Sequence, residues 1–409
     1  MNEPISQTEP SWPFPRWWAA FVIALVAVTW KLWFAWSATA YPTVALFGPE
    51  TSVPSFVGIA ASVVLVGSLI GIVVSPRKLR SLWWLVLTAL VISFVTDQHR
   101  LQPWAYQTAI YAIVFATLER RFAYRFLVLI ASSVYIYSAL GKIDYQFLHT
   151  VGQDFLGVLA TPLGGFPDDW ELAARAKIAI LFPVTELLLG FALLFPFTRR
   201  IAAVGVMGMH IALLVILGPW GLNHSTGVLA WNLCLLVQAY LLFFQHPNIS
   251  LSSPAAEPHK GLLWLNATLT ACVMLAPLLE RSSYWDHWLS WSLYSPHTSR
   301  LELAVHESAI GQLGPEIQPH VEPDTDGDRW HRLALDRWSL TDRGVPLYPQ
   351  ARYQLGLAVK MASRDGLSDD IRGRLRSVSN RWTGKRTEQP LLGLKELRDQ
   401  ANSYWLWWR

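Results

Sequence analysis

Cysteine is scarce in this chain of 409 residues, and its placement excludes two kinds of site. Cys234 and Cys272 are the two cysteines, and they lie 38 residues apart in apolar runs. There is no Cys-x-x-Cys pair and no cysteine–histidine spacing of the kind that holds zinc. Dithiol redox chemistry needs neighbouring thiols, and structural zinc sites are rich in cysteine. The sequence therefore predicts neither a dithiol centre nor a bound metal.

Charge is also scarce, and this indicates the class of protein. Only 15% of the residues are charged and 52% are hydrophobic, with a mean hydropathy of +0.28. Soluble domains carry about a quarter charged residues. The composition is that of an integral membrane protein, whose first partner is the lipid bilayer. The pI near 9.0 is compatible with an anionic surface nearby, and no nucleic-acid partner is expected.

The few charges are unevenly distributed, which divides the chain into two domains. Residues 281–409 hold eighteen Lys/Arg and sixteen Asp/Glu, whereas residues 1–280 hold only fifteen and thirteen. We therefore expect a transmembrane helical domain over residues 1–280 and a soluble domain over residues 281–409. No internal repeat or pair of glycine-broken helices stands out, so transport is the less favoured function.

Nine apolar runs of roughly the length that crosses a bilayer, about 17 to 25 residues, predict a polytopic helical bundle. They lie near residues 17–36, 54–75, 82–96, 103–118, 122–140, 176–197, 200–218, 226–245 and 262–279. The first run is followed by Ala38-Thr39-Ala40, which resembles a signal-peptidase site. No basic cluster precedes that run, so we expect it to be a retained helix.

Basic residues in short loops predict which side of the membrane each loop faces. In the nine-span topology they lie ahead of the first run and in the even-numbered loops, among them Arg16, Arg80, Arg120, Arg199 and Lys260. Cytoplasmic loops carry an excess of Lys and Arg. The N-terminus is therefore expected in the cytoplasm, and the C-terminal domain is expected to be extracytoplasmic.

Two ionisable residues are predicted to lie deep in the membrane. Glu186 is in the middle of the sixth run and His210 in the middle of the seventh. Such groups usually face the bundle interior and have a partner. Since the two runs are joined by a short turn, we expect Glu186 and His210 to form a buried polar pair, with a proton relay as the alternative.

The remaining candidate residues lie on the predicted outer rim. Lys142 ends an apolar helix just before Asp144. Three roles are open for it: an anchor that reaches the membrane surface, a catalytic base, or a contact for a quinone or lipid headgroup. The stretch from Asp97 through Arg100 is a polar turn or a binding site for an anionic group. His224 lies in a loop rich in Gly and Pro and is a candidate acid or base.

The segment YIYSALGKID, residues 135–144, resembles a segment of the horizontally transferred transmembrane (HTTM) family, which includes vitamin K-dependent γ-carboxylase. The resemblance covers residues 97–245 and includes, in order, Asp97, Lys142, Glu186 and His210. It implies a mainly α, HTTM-like membrane fold with Lys142 as active-site base.

The resemblance also implies a ligand. Reduced quinone or a vitamin K-like molecule is the expected reactant. We expect Asp97, Arg100, Trp104 and Asp144 as ligand contacts and Lys142 and His224 as catalytic groups, with Arg100 and His224 proposed from their residue types and position rather than from the resemblance. Trp104 stands where the carboxylase has a histidine, so the chain departs from the family pattern there.

The pattern in residues 281–409 predicts a small α/β unit. Alternation of apolar and polar residues predicts strands over residues 301–305 and 330–338, and helical patterns cover residues 350–362 and 371–381. The aromatic run over residues 284–291 is spaced like the end of an interfacial helix.

Two functions follow from these observations. The first is an enzyme with an outward-facing polar cleft that uses a quinone-like, lipid-soluble reactant. The second is a non-catalytic scaffold or assembly protein that displays its C-terminal domain to an extracytoplasmic partner. Convergence of Lys142, Asp97, Arg100 and His224 on one cavity would favour the first over the second.

Overall fold

A computed structural model describes residues 12–34, 42–49, 51, 53–75, 79–167, 170–245 and 258–404. The cleavage-like Ala38-Thr39-Ala40 segment lies outside these residues. Within them the chain is mainly helical and carries one small antiparallel sheet. The helices of the membrane part are α1 Phe14–Val28, α2 Trp30–Trp33, α3 Ser55–Val74, α4 Leu79–Thr96, α5 Pro103–Thr117, α6 Arg120–Lys142, α7 Tyr145–His149, α8 Val151–Ala160, α9 Leu172–Ala179, α10 Leu181–Ala192, α11 Arg199–Leu217, α12 Thr226–Ala239 and α13 Lys260–Leu275.

Six of the described helical segments are long and apolar enough to cross a membrane, which supports a multi-pass membrane protein. They are α3, α4, α6, α11, α12 with its π-helical continuation to Phe244, and α13 with the 3₁₀ segment that follows it to Ser282. Helix α6 is the most buried of the six. The count of nine crossings stays a prediction.

The other three predicted spans form shorter helices. Helix α1 has 15 residues, and α5 begins at Pro103, which suits a first helical turn because its missing N–H would have no partner there. Thirteen of the fifteen residues of α5 are buried, so protein rather than lipid surrounds it. The run at residues 176–197 is divided between α9 and α10 near Ile180, where Pro183 cannot donate to the carbonyl of Ala179.

The C-terminal part is an α/β unit. Its elements are β1 Arg300–His306, β2 Trp330–Leu333, α14 Leu335–Trp338, α15 Ala351–Asp365, β3 Ile371–Arg376, β4 Glu388–Leu392 and α16 Gly393–Asn402. The strands are antiparallel in the order β2-β1-β3-β4, with Leu303 opposite both Leu333 and Gly373. Alternate residues of β1 are buried; β1 packs against α15, and β3 packs against α16.

Three secondary-structure predictions in this part need correction. The predicted helix at residues 371–381 is strand β3, because Ile371, Gly373 and Leu375 alternate with arginines at the period of a strand. Gly373 has a further reason to be small, since a Cβ atom there would lie 2.9 Å from Leu397 of α16. The second predicted strand ends at Leu333. The aromatic run at residues 284–291 forms turns and not a helix, with Trp291 at φ 58°.

The α/β unit packs directly on one end of the bundle. A single hydrophobic core continues from the helices into the sheet, and the rings of Tyr106 and Trp291 lie 5.1 Å apart across the junction. Lys31 donates to the carbonyl of Thr341 at 2.8 Å. These contacts join the two predicted domains into one packed structure.

The opposite end of the bundle carries the basic loops. Arg16 donates to the carbonyl of Ser75, and Arg80 lies 3.7 Å from Glu119. The basic loops and the C-terminal unit therefore lie at opposite ends of the bundle, as the sequence predicts. Their assignment to the two sides of the membrane stays a prediction.

Candidate functional site

Lys142 is the last residue of α6 and forms a buried ion pair with Glu186 of α10. Its Nζ donates to Glu186 Oε2 at 2.6 Å and to Ser138 Oγ, one helical turn earlier, at 2.7 Å. The two charged side chains are only 7% and 9% exposed. Nζ also lies 5.8 Å from the centre of the Tyr294 ring, within the range of a cation–π contact. This geometry is not that of an anchor that reaches the membrane surface.

Glycines at two helix surfaces allow this arrangement. A Cβ atom at Gly190 would lie 3.0 Å from the backbone nitrogen of Ile136, so the absence of a side chain lets α10 approach α6. Gly190 follows Glu186 by one turn on the same helix face, and the close approach brings the carboxylate to Lys142. A Cβ atom at Gly141 would lie 2.9 Å from Ser295 Oγ, so this glycine admits the C-terminal unit against the end of α6.

The predicted pair between Glu186 and His210 is not formed, although both described side chains are buried. His210 Nδ1 donates to Asn232 Oδ1 at 3.1 Å, and His210 Nε2 accepts from the hydroxyl of Tyr135 at 3.2 Å. The Asn232 amide donates in turn to the Tyr294 hydroxyl at 3.2 Å. Both side chains contact α6, but at different levels: Glu186 meets Lys142 at the C-terminal end of α6, whereas His210 lies between Tyr135, about two turns earlier, and Asn232 of α12. Similar predicted depth in neighbouring spans therefore did not make the two residues partners.

A cavity of about 190 Å³ lies where the C-terminal unit meets the bundle. Three tryptophans and a tyrosine supply much of its wall, together with an imidazole; they are Trp104, Trp231, Trp288, Tyr294 and His224. The wall combines the first turns of α5 and α12 with turns from the C-terminal part. Two of the sequence candidates, Trp104 and His224, thus share one cavity.

Two polar groups in the wall have unused hydrogen-bonding capacity. Tyr294 accepts from Asn232, and its own hydroxyl hydrogen has no acceptor among the described residues. The His224 side chain makes no hydrogen bond within the same set, and its ring centre lies 6.2 Å from that of Tyr294. Burial raises the pKa of Tyr294 and lowers the pKa of His224, so the wall presents a neutral phenol and a neutral imidazole at pH 7.

Asp97 does not reach this cavity and binds the C-terminal unit instead. Its carboxylate accepts from the Arg343 guanidinium, and both side chains are almost fully buried. Burial raises the pKa of Asp97, but the charges of Arg343 and Arg100 outweigh burial and lower it overall. Asp97 therefore joins the bundle to residues far along the chain.

Arg100 likewise finds its partners within the protein. Its Nε and Nη2 donate to the carbonyls of Leu32 and Trp33 at 3.2 and 3.4 Å, at the end of α2. Burial lowers the pKa of Arg100 to about 10, so the group stays charged at neutral pH. Arg100 donates to buried carbonyls at a helix end, which have no partner within the helix, a role that the sequence pattern did not indicate.

His99, between them, is held neutral. Its Nε2 donates to the carbonyl of Pro346 at 2.9 Å, and its Nδ1 accepts from the Tyr353 hydroxyl at 3.2 Å. Burial, reinforced by the charge of Arg343, lowers the pKa of His99 to about 3, against the opposing effect of Asp97. The histidine contributes to the junction as an uncharged ring.

Asp144 caps α7 and does not pair with Lys142. One carboxylate oxygen accepts from the backbone N–H of Gln146 at 2.8 Å, and the other accepts from Arg281. The helix α6 continues through Lys142, so the two side chains point to different partners. The expected ligand contact at Asp144 is thus occupied by a helix cap and an ion pair.

The sequence patterns did not indicate one buried cluster, that of Glu280, His287 and His297. Glu280 Oε1 accepts from His287 Nδ1 at 2.7 Å, and both carboxylate oxygens lie 3.0 Å from His297 Nε2. The three residues lie on a 3₁₀ segment and on turns, where spacing carries no periodic signal. Tyr294, between the two histidines, had no sequence signal either.

No family model matches the chain, and no curated protein or solved structure matches it either. The resemblance to the HTTM family therefore stays a prediction.

Proposed function

We propose that this multi-pass membrane protein binds the ring of a lipid-soluble, quinone-like molecule in the aromatic cavity between its bundle and its C-terminal unit. The observation that carries the proposal is the cavity itself, where flat aromatic walls meet two polar groups with spare hydrogen-bonding capacity. Small-molecule sites in proteins combine an apolar wall with a few placed polar groups in this way.

The dimensions support a head group rather than a whole lipid. Pockets for drug-sized ligands measure about 300 to 1,000 Å³, and this one measures about 190 Å³. A single or fused ring fits such a space, and its isoprenoid tail would extend toward the bilayer. The Tyr294 hydroxyl is a hydrogen-bond donor for a quinone oxygen, and His224 is a second polar contact.

Lys142 supports the same proposal in an indirect role. Lys142 Nζ lies 5.8 Å from the centre of the Tyr294 ring, which lines the cavity, so the lysine acts on a bound ring through its charge and through the position of Tyr294. A base role would require the proton shared in the 2.6 Å contact to move to Glu186. Asp97 and Arg100 lie outside the cavity, so the convergence expected of an enzyme is only partial and binding is the better-supported function.

The proposal is tested with the purified, detergent-solubilised chain and menadione, a tail-less quinone. Menadione is expected to saturate one site, and Tyr294→Phe is expected to weaken it about tenfold, the equivalent of one hydrogen bond of about 1.4 kcal/mol. Val345→Trp fills the cavity and is expected to abolish binding, whereas Val215→Trp on a half-exposed face of α11 is expected to leave it unchanged. Thermal unfolding checks that each variant is folded.

Two results would contradict the proposal. Saturable binding that survives a folded Val345→Trp variant would place the site elsewhere. No saturable binding of menadione to the wild type, together with no quinone in a solvent extract of the protein by mass spectrometry, would remove the quinone as ligand.

The scaffold function has a surface of its own that favours it. A groove of about 930 Å³ runs along the outer face of the sheet, beside Trp330. Arginines and glutamates alternate along it, and Arg374 lies 3.2 Å from Glu302 and 3.6 Å from Glu388. A charged, grooved surface of this kind suits a polar segment of an extracytoplasmic protein. Loss of the biological function on reversing the groove charges, with menadione binding intact, would favour this alternative.

A further inference from the structure

Glu280, His287 and His297 bring one carboxylate and two imidazoles to a common point. One ligand atom from each residue lies within 4.8 Å of the other two, and all three residues are buried. The two imidazole planes are inclined by 71°, with their ring centres 4.9 Å apart. Two rings that approach one carboxylate from different directions give the arrangement in which nitrogen and oxygen lone pairs surround a cation.

Hydrogen bonds alone leave this cluster incompletely satisfied. His297 Nε2 is equidistant from both Glu280 oxygens at 3.0 Å, and its buried Nδ1 has no partner among the described residues. Two nearby guanidinium groups form their ion pairs with other carboxylates, Arg281 with Asp144 and Arg352 with Asp286. Within the part of the chain that the structure describes, the Glu280 carboxylate is hydrogen-bonded only by the two imidazoles.

We propose that Glu280, His287 and His297 bind a divalent first-row transition-metal cation of the zinc type. Two imidazole nitrogens and one carboxylate oxygen are ligands that Zn²⁺ accepts readily, whereas Mg²⁺ and Ca²⁺ prefer sites made of oxygen alone. The absence of cysteine spacing in the sequence does not bear on a site of this composition.

A fourth ligand has room beside Glu280. A cavity of about 20 Å³ borders Glu280, Ser283 and Thr298, on a side of the cluster that neither histidine lines. A single water molecule needs about 10 to 15 Å³ of such space. The three protein ligands and one water would complete four-coordinate geometry.

The position of the site in the chain gives the cation a structural role. Glu280 lies two residues before the end of the last membrane segment, and the two histidines bracket the turns that carry Trp288, Leu293 and Tyr294 to the aromatic cavity. A cation bound to all three ligands would fix both ends of these turns to the bundle. The metal site does not depend on what the cavity binds.

The first test is the metal content of the purified, tag-free chain, measured by inductively coupled plasma mass spectrometry. About one zinc-type ion per chain is expected, as for a single site with three protein ligands. His297→Gln and Glu280→Gln are expected to lose it, whereas His331→Gln, which changes a histidine outside the cluster, is expected to retain it.

The second test uses the wild type, so that a folding defect in a variant cannot decide the result. Removal of the ion with 1,10-phenanthroline is expected to lower the Tm, and added Zn²⁺, but not Mg²⁺, is expected to restore it, because a ligand of the native state stabilises that state. A wild-type chain with no stoichiometric metal, and a Tm that neither phenanthroline nor Zn²⁺ changes, would show a purely hydrogen-bonded cluster and overturn the proposal.

Discussion

Replacement of Lys142 alone is predicted to destabilise the bundle, whereas replacement of Lys142 together with Glu186 is not. Lys142 Nζ lies 2.6 Å from Glu186 Oε2, and both side chains are more than nine-tenths buried. Lys142→Met leaves the Glu186 carboxylate without its cation, and an unpaired buried charge costs about 3 to 5 kcal/mol. Substituting both members by apolar residues removes both charges, and such replacements are often neutral or stabilising by about 1 to 4 kcal/mol.

The assay is thermal unfolding of the detergent-solubilised protein for four variants. Lys142→Met and Glu186→Leu are each expected to lower the Tm clearly, and the double variant is expected to recover most or all of the loss. Lys177→Met on the exposed side of α9 is the matched control and is expected to change the free energy of unfolding by no more than about 0.5 kcal/mol.

Two outcomes would refute this reasoning. A Tm for Lys142→Met equal to that of the control would mean that the buried carboxylate does not depend on the lysine. Strictly additive losses in the double variant would mean that the two residues act independently, since a coupled pair shows an interaction energy in a double-mutant cycle.

Three further predictions concern other parts of the chain. Because burial lowers the pKa of His99 from 6.5 to about 3, its protonation favours the unfolded state. The contribution of neutral His99 to the free energy of unfolding is expected to be fully present above pH 6.5. It is expected to fall from there toward pH 3 by up to about 1.4 kcal/mol per pH unit, and the dependence on pH is expected to be shallower in His99→Gln. Gly190→Ala is expected to destabilise by about 1 to 3 kcal/mol because α6 leaves no room for a Cβ atom, whereas Gly208→Ala, which meets open space, is expected to be neutral or stabilising in the same Tm measurement. A phosphatase fused after Arg409 is expected to be active, and cytoplasmic fluorescence of a reporter there would disprove the predicted orientation.

The membrane class and the existence of most helices were predictable from the sequence. Apolar run length decides both, because lipid offers no partners to backbone groups. Both features depend on composition averaged over many residues, so the orientation of any single side chain does not affect the prediction.

The partners of individual charges were not predictable in the same way. Depth suggested His210 for Glu186, but helix rotation sets the partner, and that rotation depends on the contact made by Gly190. The sequence of strand β3 resembles a helix because three of its six residues are arginines, which make its alternation of apolar and polar residues hard to recognise. The cluster around Glu280 depends on turn geometry, which leaves no periodic trace.

The walls of the aromatic cavity come from both ends of the chain, and this has a consequence for biosynthesis. Trp104 is made early, whereas Tyr294 and the segment through Pro346 are made late. Arg343, the partner of the buried Asp97, is synthesised 246 residues after it. A nascent chain stopped near residue 280 would therefore hold a carboxylate without its guanidinium and half of a pocket. The bundle thus reaches its final set of polar contacts only when the C-terminal unit has been made and has packed against it.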